Sequence, residues 1–302
     1  MQVIFNMPFG KINVYSDDLT IINKVKLIIV PSNYKLKFAD VEYNIFIENN
    51  AFEPDKTYRA TQMLKGIYLG HNLGTPCLLR IENNNIHIYT KDKTYYPAII
   101  WNFVLKYIFS KVALDFNVLH IKGLLLKNAK GKLYLFLGKG NSGKTTLAKN
   151  LREYGCAIVS NTHCFIENNY IWGINSWIRE RDEKGNSVYL ANMDSNEIDC
   201  FDGNLEKMFI INYNKENHYH YYKTEKIYAY YYLRNFSTAL TNYDLKEEVW
   251  DYFSNNFYGC MDYFACEDRM LQYIVNNNDI FCLSMDINAS QIAEKFLIDF
   301  NF

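Results

Sequence analysis

The chain has 302 residues, 49% of them hydrophobic and 22% charged, which suits one large or two modest soluble domains with a sizeable core. A formal net charge of −1 excludes a global field that would attract nucleic acid or an anionic membrane. The seven Cys, odd in number and without Cys-x-x-Cys spacing, argue against a disulfide framework or a zinc knuckle. We see no signal peptide and no run of about 18 apolar residues, so we expect a cytoplasmic protein with no membrane partner.

Residues 1–95 have the pattern of a β-rich module. Short β-branched and aromatic runs are separated by Asn, Asp, Pro and Gly, as in sheets of short strands. The predicted strands are Val3–Phe5, Ile12–Tyr15, Val25–Val30, Tyr43–Ile47, Leu78–Ile81 and Ile86–Tyr89. The last two flank a polar segment and predict a hairpin.

A helix and a second hairpin come after this module. Segment 97–113 has apolar residues at helical spacing and predicts a helix that joins the module to the rest of the chain. We then expect a strand over 118–126, a turn, and a strand over 133–137. A helix over 144–154, ended by Gly155, leads into a strand at 156–159 and completes a βαβ-type unit.

The remaining elements alternate between strands and helices. Strands are predicted at 165–167, 170–172, 208–211 and 281–285. Helices are predicted at 244–258, 266–276 and 289–299, the last with Asn288 or Ser290 as its N-cap. We find no internal repeat and no long flexible linker. The β-rich pattern of 1–95 and the alternating pattern after it predict two domains, 1–95 and 96–302, in an α/β protein.

One contiguous segment carries a specific chemical motif. It fits G-x-x-x-x-G-K-[ST] without a mismatch, follows an apolar strand and opens an amphipathic helix. The glycines let successive N–H groups point at phosphate oxygens, while the lysine supplies a mobile cation and the first threonine a ligand for Mg²⁺. The residues expected to bind ATP with Mg²⁺ are Gly138, Lys139, Gly140, Asn141, Ser142, Gly143, Lys144, Thr145 and Thr146.

The segment that precedes this loop points to a particular type of nucleotide core. His120, Gly123, a tight hairpin over 124–137 and then the phosphate loop occur in that order. In this order the chain resembles the HPr kinase/phosphorylase family, whose nucleotide core is shared by phosphoenolpyruvate carboxykinase. It also resembles stand-alone HPr-kinase-like proteins, many of them found with peptide-modification enzymes. The resemblance implies a P-loop core of that type and a kinase acting on a hydroxyl of a peptide, a protein or a small molecule.

The chain departs from that family after the strand at 156–159. The family has one or two Asp here, which act as the base on the acceptor hydroxyl and help to hold the metal, whereas this chain has Asn161. An amide cannot take a proton at neutral pH and binds Mg²⁺ weakly. His163 is one candidate base. The carboxylates Glu180, Asp182 and Glu183 are the other candidates, unless the protein binds ATP without transferring its phosphate.

Two further groups are candidates for the site. Arg179 and Arg181 alternate along a predicted strand, and an arginine near the γ-phosphate would stabilise charge in the transition state. A solvated edge of a sheet has the same pattern. His120 lies within an apolar strand, where a structural role competes with the site role that the resemblance implies.

Other patterns are less specific. Segment 213–232 interleaves Tyr with His and Lys, as stacking platforms for single-stranded nucleic acid do, but the absence of net positive charge argues against that partner. His218 and His220 have no third ligand nearby, so zinc is not expected. The oligomeric state is left open, a homo-oligomer included.

Two functions therefore compete. The first is a kinase that transfers the γ-phosphoryl group of ATP to a hydroxyl. The second is a regulatory or scaffolding protein that binds ATP without turnover, which the substitution of Asn161 for Asp favours.

Overall fold

A computed structural model describes residues 1–30, 32–48, 62–64, 67–70, 77–90, 93–181, 187–190, 200–213, 219–237, 252–253, 256–285 and 291–302. The strands are β1 (Gln2–Met7), β2 (Gly10–Tyr15), β3 (Val41–Ile47), β4 (Gln62–Leu64), β5 (Ile67–Gly70), β6 (Cys77–Glu82), β7 (Asn85–Tyr89), β8 (Leu119–Lys122), β9 (Leu124–Lys127), β10 (Leu133–Leu137), β11 (Ala157–Ser160), β12 (His163–Glu167), β13 (Tyr170–Gly173), β14 (Ile178–Arg181), β15 (Ser187–Leu190), β16 (Asp202–Tyr213), β17 (His220–Lys223) and β18 (Ile280–Met285). The helices are α1 (Leu19–Val25), α2 (Tyr96–Phe116), α3 (Lys144–Arg152), α4 (Lys226–Arg234), α5 (Phe257–Asn277) and α6 (Gln291–Phe300).

The chain is a mixed α/β protein that divides into two compact units, each made of separate stretches of chain. The first unit comprises Met1–Phe116, Ser176–Ala191 and Ala239–Tyr263, and the second comprises Asn117–Asn175, Asn192–Thr238 and Phe264–Phe302. The first unit thus contains α2 and β14, which the predicted domain boundary at residue 95 assigns to the other domain. The two predicted domains, taken as regions that fold on their own, stay a prediction.

The first unit is built on a mixed seven-stranded sheet in the order β1-β2-β3-β7-β6-β5-β4. β2, β3 and β7 run parallel, and hairpins extend the sheet on both sides. Helix α2 contributes Phe109, whose ring packs edge-on against Phe9 at 6.1 Å between centroids. Buried aromatic and β-branched side chains on the inner face of the sheet therefore account for much of this core.

The second unit is built on a sheet whose main path is β11-β9-β10-β16-β13-β12-β8, with β17 and β18 beyond β16. β16 and β18 run parallel to β10, and β11 also does, because both β10 and β11 are antiparallel to β9. All five residues of β10 are buried, as expected for a central strand. Four strand ends therefore meet at one edge of the sheet, where β10, β11, β16 and β18 finish.

Most predicted elements are confirmed where the structure describes them. The hairpin of β6 and β7, the helix α2, the hairpin of β9 and β10, helix α3 and strand β18 lie where the sequence predicts them. The single strand predicted over 118–126 is wrong, because the structure divides it at Gly123 into β8 and β9. Gly155 has a φ of +80°, as a glycine just past a helix requires. The helix predicted at 266–276 is confirmed within the longer α5. Most of the helix predicted at 244–258, and the caps Asn288 and Ser290, lie outside the described residues.

The strand predicted at Val25–Val30 is wrong. Helix α1 occupies residues up to Val25, and its first turn is capped by Asp18, whose carboxylate accepts a hydrogen bond from the Thr20 N–H. Ile21, Ile22 and Val25 are buried in one helical stripe. Val25 thus ends a helix, and residues 26–28 continue as turns, with the Ile28 N–H donating to the Val25 carbonyl oxygen at 2.9 Å. Ile29 makes an isolated antiparallel bridge to Ser176.

Helix α2 is long and apolar enough to cross a membrane by length and composition alone, but most of its apolar window is buried inside the protein. A core helix of a soluble protein has the same properties. Helix α2 contains a π-helical turn at Ile100–Val104. The expectation of no membrane partner stays a prediction.

Candidate functional site

The candidate site lies at the edge of the second unit's sheet where β10, β11, β16 and β18 end. Segment 138–143 leaves the end of β10 and leads directly into α3. In α/β sheets with parallel strands, ligands bind outside the carboxyl ends of the strands, where loops and helix N-termini meet. The phosphate loop predicted from sequence therefore occupies the edge that such ligands use.

Backbone geometry explains why glycine and asparagine occupy this loop. A Cβ on Gly138 would lie 2.4 Å from Ser142 Oγ and 2.9 Å from the Ile211 carbonyl oxygen, closer than carbon atoms tolerate. Asn141 and Gly143 have φ of 64° and 87°, in the left-handed region that few residues other than glycine and asparagine adopt. The loop is thus a tight turn that side chains at these positions would disturb.

Lys144 is the first residue of α3, and its side chain folds back over the loop. Its Nζ donates to the carbonyl oxygens of Gly138 at 2.6 Å and Lys139 at 3.1 Å, and to Ser142 Oγ at 3.1 Å. The first amides of α3 have no acceptor within the helix and carry the positive end of its dipole. An ammonium group and a helix N-terminus therefore converge on one small region, an arrangement suited to an anion.

Thr145 and Asn161 come together although sixteen positions separate them. The Thr145 hydroxyl donates to Asn161 Oδ1 at 3.3 Å, which joins the first turn of α3 to the end of β11. Two hard oxygen ligands are thereby placed side by side. The pair fits a Mg²⁺ that keeps several waters and binds chiefly through phosphate oxygens, because such a site needs only one or two protein oxygens. No group of three His, Cys, Asp or Glu side chains in the described part of the chain could hold a metal ion by itself.

We call the place where the first turn of α3 meets the end of β11 the corner of the site. His120 and His163 form a buried pair next to it. His120 Nε2 and His163 Nδ1 are 3.0 Å apart, and both side chains are almost wholly buried. A neutral imidazole has one donor and one acceptor nitrogen, so one ring donates its N–H to the lone pair of the other. If both rings were protonated, both facing nitrogens would carry hydrogens and the bond would be lost.

The burial of His163 bears on its predicted role as a base. A base must lie within hydrogen-bonding reach of the proton that it takes, and the ring of His163 has no exposed surface. Its backbone is also held, because its carbonyl oxygen accepts from Ser160 Oγ at 2.7 Å and from the Ile174 N–H at 2.9 Å. The catalytic role of His163 stays a prediction. Its burial and its hydrogen bonds are typical of a residue with a structural role.

Two further residues shape the corner: Gly123, which is part of the resemblance seen in the sequence, and Ser160, which the sequence analysis missed. Gly123 separates β8 from β9, and a Cβ there would lie 2.7 Å from Leu135 Cδ1 and 3.2 Å from the Phe136 carbonyl oxygen. Its N–H donates to the Thr162 carbonyl oxygen at 3.0 Å. Ser160 is buried and holds the start of β12. The sequence signal available for Gly123 is a lone glycine inside an apolar run, which often marks a close approach of backbones.

The remaining candidates lie elsewhere. Arg179 and Arg181 are on β14, in register with Tyr189 and Ser187 of β15, and they belong to the first unit. Their role at the γ-phosphate stays a prediction, as does the role of Glu180 on the same strand. Asp182, Glu183 and His218 lie outside the described residues. His220 is exposed on β17.

No model of a known protein family matches this chain, and a search of curated proteins found no match to it.

Proposed function

We propose that this protein binds MgATP at the loop Gly138–Thr146 and transfers the γ-phosphoryl group to a hydroxyl, as HPr-kinase-like proteins do. The acceptor hydroxyl belongs to a peptide, a protein or a small molecule. In this proposal the nucleotide core is of the type shared by HPr kinase and phosphoenolpyruvate carboxykinase.

The observation that carries the proposal is the position and content of the loop. A buried strand, a turn with left-handed residues and a helix that begins with Lys144 follow one another at the carboxyl edge of the sheet. The Lys144 ammonium already contacts two carbonyl oxygens of the loop, and a triphosphate would offer oxygens with full negative charge in their place. Phosphoryl transfer needs chiefly this positioning and charge stabilisation.

Magnesium has a defined place in the proposal. Thr145 would bind the ion directly. Asn161, which already accepts a hydrogen bond from the Thr145 hydroxyl, would contribute a second neutral oxygen or orient a bound water. The ion would neutralise charge on the β- and γ-phosphates. Lys144 and the loop amides would hold the same phosphates from the other side.

A second candidate function is ATP binding without turnover. Asn161 stands where the related kinases have an acidic residue, and the nearby His163 is buried. Both observations favour a protein whose conformation reports the nucleotide. The two functions share one binding site and differ only in the fate of the γ-phosphate.

Titration calorimetry of the full chain with MgATP and MgGTP tests the shared part. We expect Lys144→Ala to weaken MgATP binding about 30-fold or more, because hydrogen bonds to a charged group each contribute roughly 1.5–3 kcal/mol. Lys149→Ala, in the last turn of the same helix, is the matched control and should bind as the wild type does. If neither nucleotide binds to the folded wild-type protein, both functions are excluded.

Incubation with labelled ATP and candidate acceptors separates the two functions. Label that appears on an acceptor with the wild type and not with Lys144→Ala supports the kinase. Tight binding with no label on any acceptor and no release of ADP supports the regulatory protein.

A further inference from the structure

An exposed tyrosine that the proposed function has not used lies at the carboxyl edge of the second unit's sheet. Tyr213 is the last residue of β16, the strand that runs parallel to β10. Its side chain is 39% exposed, whereas the residues Met208–Ile211 of the same strand are buried. Aromatic side chains with an open surface are common in sites that bind small molecules, so Tyr213 is a candidate contact for a ligand at this edge.

Strand register and one close approach place Tyr213 beside the phosphate loop. Leu137, the last residue of β10, is in register with Ile210, so the loop begins where β16 still continues. A Cβ on Gly138 would lie 2.9 Å from the Ile211 carbonyl oxygen, so the first residue of the loop touches β16. Tyr213 follows Ile211 by two residues, which is about 7 Å along a strand. The tyrosine therefore stands next to the loop.

The side chain of Tyr213 lies on the face of the sheet that carries α3. Alternate residues of a strand point to opposite faces, so Tyr213 shares a face with Phe209. Phe209 packs against Phe300 of α6 at 4.8 Å between ring centroids, and α6 is a neighbour of α3. Asn212 points to the other face, where its side chain donates to Cys282 Sγ at 3.2 Å. The exposed ring and the N-terminus of α3 therefore belong to the same side of the sheet.

The two flanks of the loop offer different groups to a bound triphosphate. On the flank of β11, Thr145 and Asn161 form the pair proposed to hold Mg²⁺, and this ion bridges the β- and γ-phosphates. The strand order β11-β9-β10-β16 puts Tyr213 on the opposite flank. A triphosphate whose γ end lies on the β11 flank therefore has its α-phosphate, ribose and base on the flank of β16.

We propose that Tyr213 is the platform on which the base of the bound nucleotide stacks. This inference rests on the proposed function, which it deepens by naming the residue that contacts the base. Stacking on an aromatic ring accepts any base, because every base has a π-face. The platform therefore takes adenine and guanine alike, and it selects nucleoside triphosphates over inorganic tripolyphosphate, which has no base.

The test compares the binding of MgATP and of magnesium tripolyphosphate to the full chain by titration calorimetry. Tripolyphosphate has the phosphates without the base, so it reports on the loop alone. We expect Tyr213→Ala to weaken MgATP binding about tenfold or more and to leave tripolyphosphate binding within about twofold of wild type. Tyr213→Phe keeps the ring and should bind MgATP within about threefold of wild type. Tyr154→Ala is the control, because Tyr154 is 45% exposed just past the other end of α3, and it should bind both ligands as wild type does.

A spectroscopic measurement detects the stacked base directly. The fluorescence of an aminopurine ribonucleoside triphosphate is quenched when its base stacks on an aromatic ring. At saturating concentrations of protein, we expect strong quenching with the wild type, with Tyr213→Phe and with Tyr154→Ala. Tyr213→Ala should bind this analogue more weakly and quench it much less. A purely structural role of Tyr213 would not change the quenching of the bound analogue.

The outcomes separate the platform from the proposed function. Equal MgATP affinity of Tyr213→Ala and the wild type overturns the platform and leaves nucleotide binding at the loop intact. An equal loss of MgATP and tripolyphosphate affinity in Tyr213→Ala also overturns the platform, because the substitution would then act through the loop. If the wild type binds neither ligand, the proposed function fails first and the platform falls with it.

Discussion

Two parts of the candidate site differ in how the chain builds them. The contiguous part is the loop Gly138–Thr146, which one segment forms from main-chain groups and one lysine. The assembled part consists of His120, Asn161 and His163, which come from β8, the end of β11 and β12. The first carries a motif that is visible in the sequence, and the second exists only once the strands have paired.

This difference separates nucleotide binding from catalysis. Backbone amides and a helix N-terminus bind phosphate whatever lies elsewhere in the fold. Acid–base chemistry needs side chains held at set distances, which in the proposed reaction would have to come from several elements of the fold. A family resemblance carried by the loop therefore predicts the ligand better than it predicts the reaction, as the replacement of the expected Asp by Asn161 illustrates.

The largest expected effect concerns the contiguous part. Gly138→Ala places a Cβ against a carbonyl oxygen of β16, which cannot move without disturbing the sheet. We expect a loss of about 3 kcal/mol in the free energy of unfolding, measured by urea denaturation. Gly140→Ala, where a Cβ meets nothing within 4 Å, should leave that free energy unchanged. Equal stability of the two variants would show that β16 does not hold the loop tightly.

The next effect concerns the pH dependence of stability that Glu267, a buried residue of α5, contributes. Burial raises its pKa from 4.5 to about 7 on folding, so between these values the folded state binds more protons than the unfolded state. Stability attributable to this group is therefore complete below about pH 4.5 and is lost as the pH rises through about 7, a change on the order of 3 kcal/mol.

The measurement is urea denaturation of the wild type and Glu267→Gln from pH 4.5 to 8. The variant should lack this component of the pH dependence and should be the more stable of the two at pH 8. Parallel stability curves for the two proteins would contradict the burial of an ionisable group at this place.

A smaller effect concerns the contact between Thr145 in the contiguous part and Asn161 in the assembled part. Asn161→Asp keeps an acceptor for the Thr145 hydroxyl and adds a negative charge beside it. We expect MgATP binding to become half-maximal at about tenfold lower Mg²⁺, equivalent to about 1.4 kcal/mol. Asn168→Asp adds the same charge in the exposed turn between β12 and β13 and serves as the control. An identical Mg²⁺ dependence in the two variants would remove Asn161 from the metal site.

The smallest effect tests the assembled part alone. A double-mutant cycle with His120→Phe and His163→Phe should give a coupling energy of about 1 kcal/mol in unfolding, the typical contribution of one hydrogen bond. The cycle of His120→Phe with His220→Phe should give none, because His220 is exposed on β17. Zero coupling in the first cycle would mean that the two rings do not bond in solution.

Local patterns predicted much of the fold. The sequence predicts the hairpins β6–β7 and β9–β10, helix α3 and strand β18. The signals are β-branched runs and polar turns that contain Gly and Asn, and each signal acts over a few residues. The same kind of reasoning was wrong at Val25–Val30. There the helix that Asp18 caps ends at Val25, and the chain turns over 26–28 before Ile29 bridges to Ser176.

The sequence by itself determined the tight turn and the helix at Gly138–Thr146 and predicted phosphate binding there, because its glycines, its lysine and the helix behind them act within nine consecutive residues. Only the tertiary structure decided that 118–126 is two strands, since Gly123 must approach Leu135 and bond to Thr162. It also decided that His120 meets His163 and that Glu267 is buried. These contacts join residues far apart in the chain, and their free energy depends on strand pairing and desolvation, which no local pattern encodes.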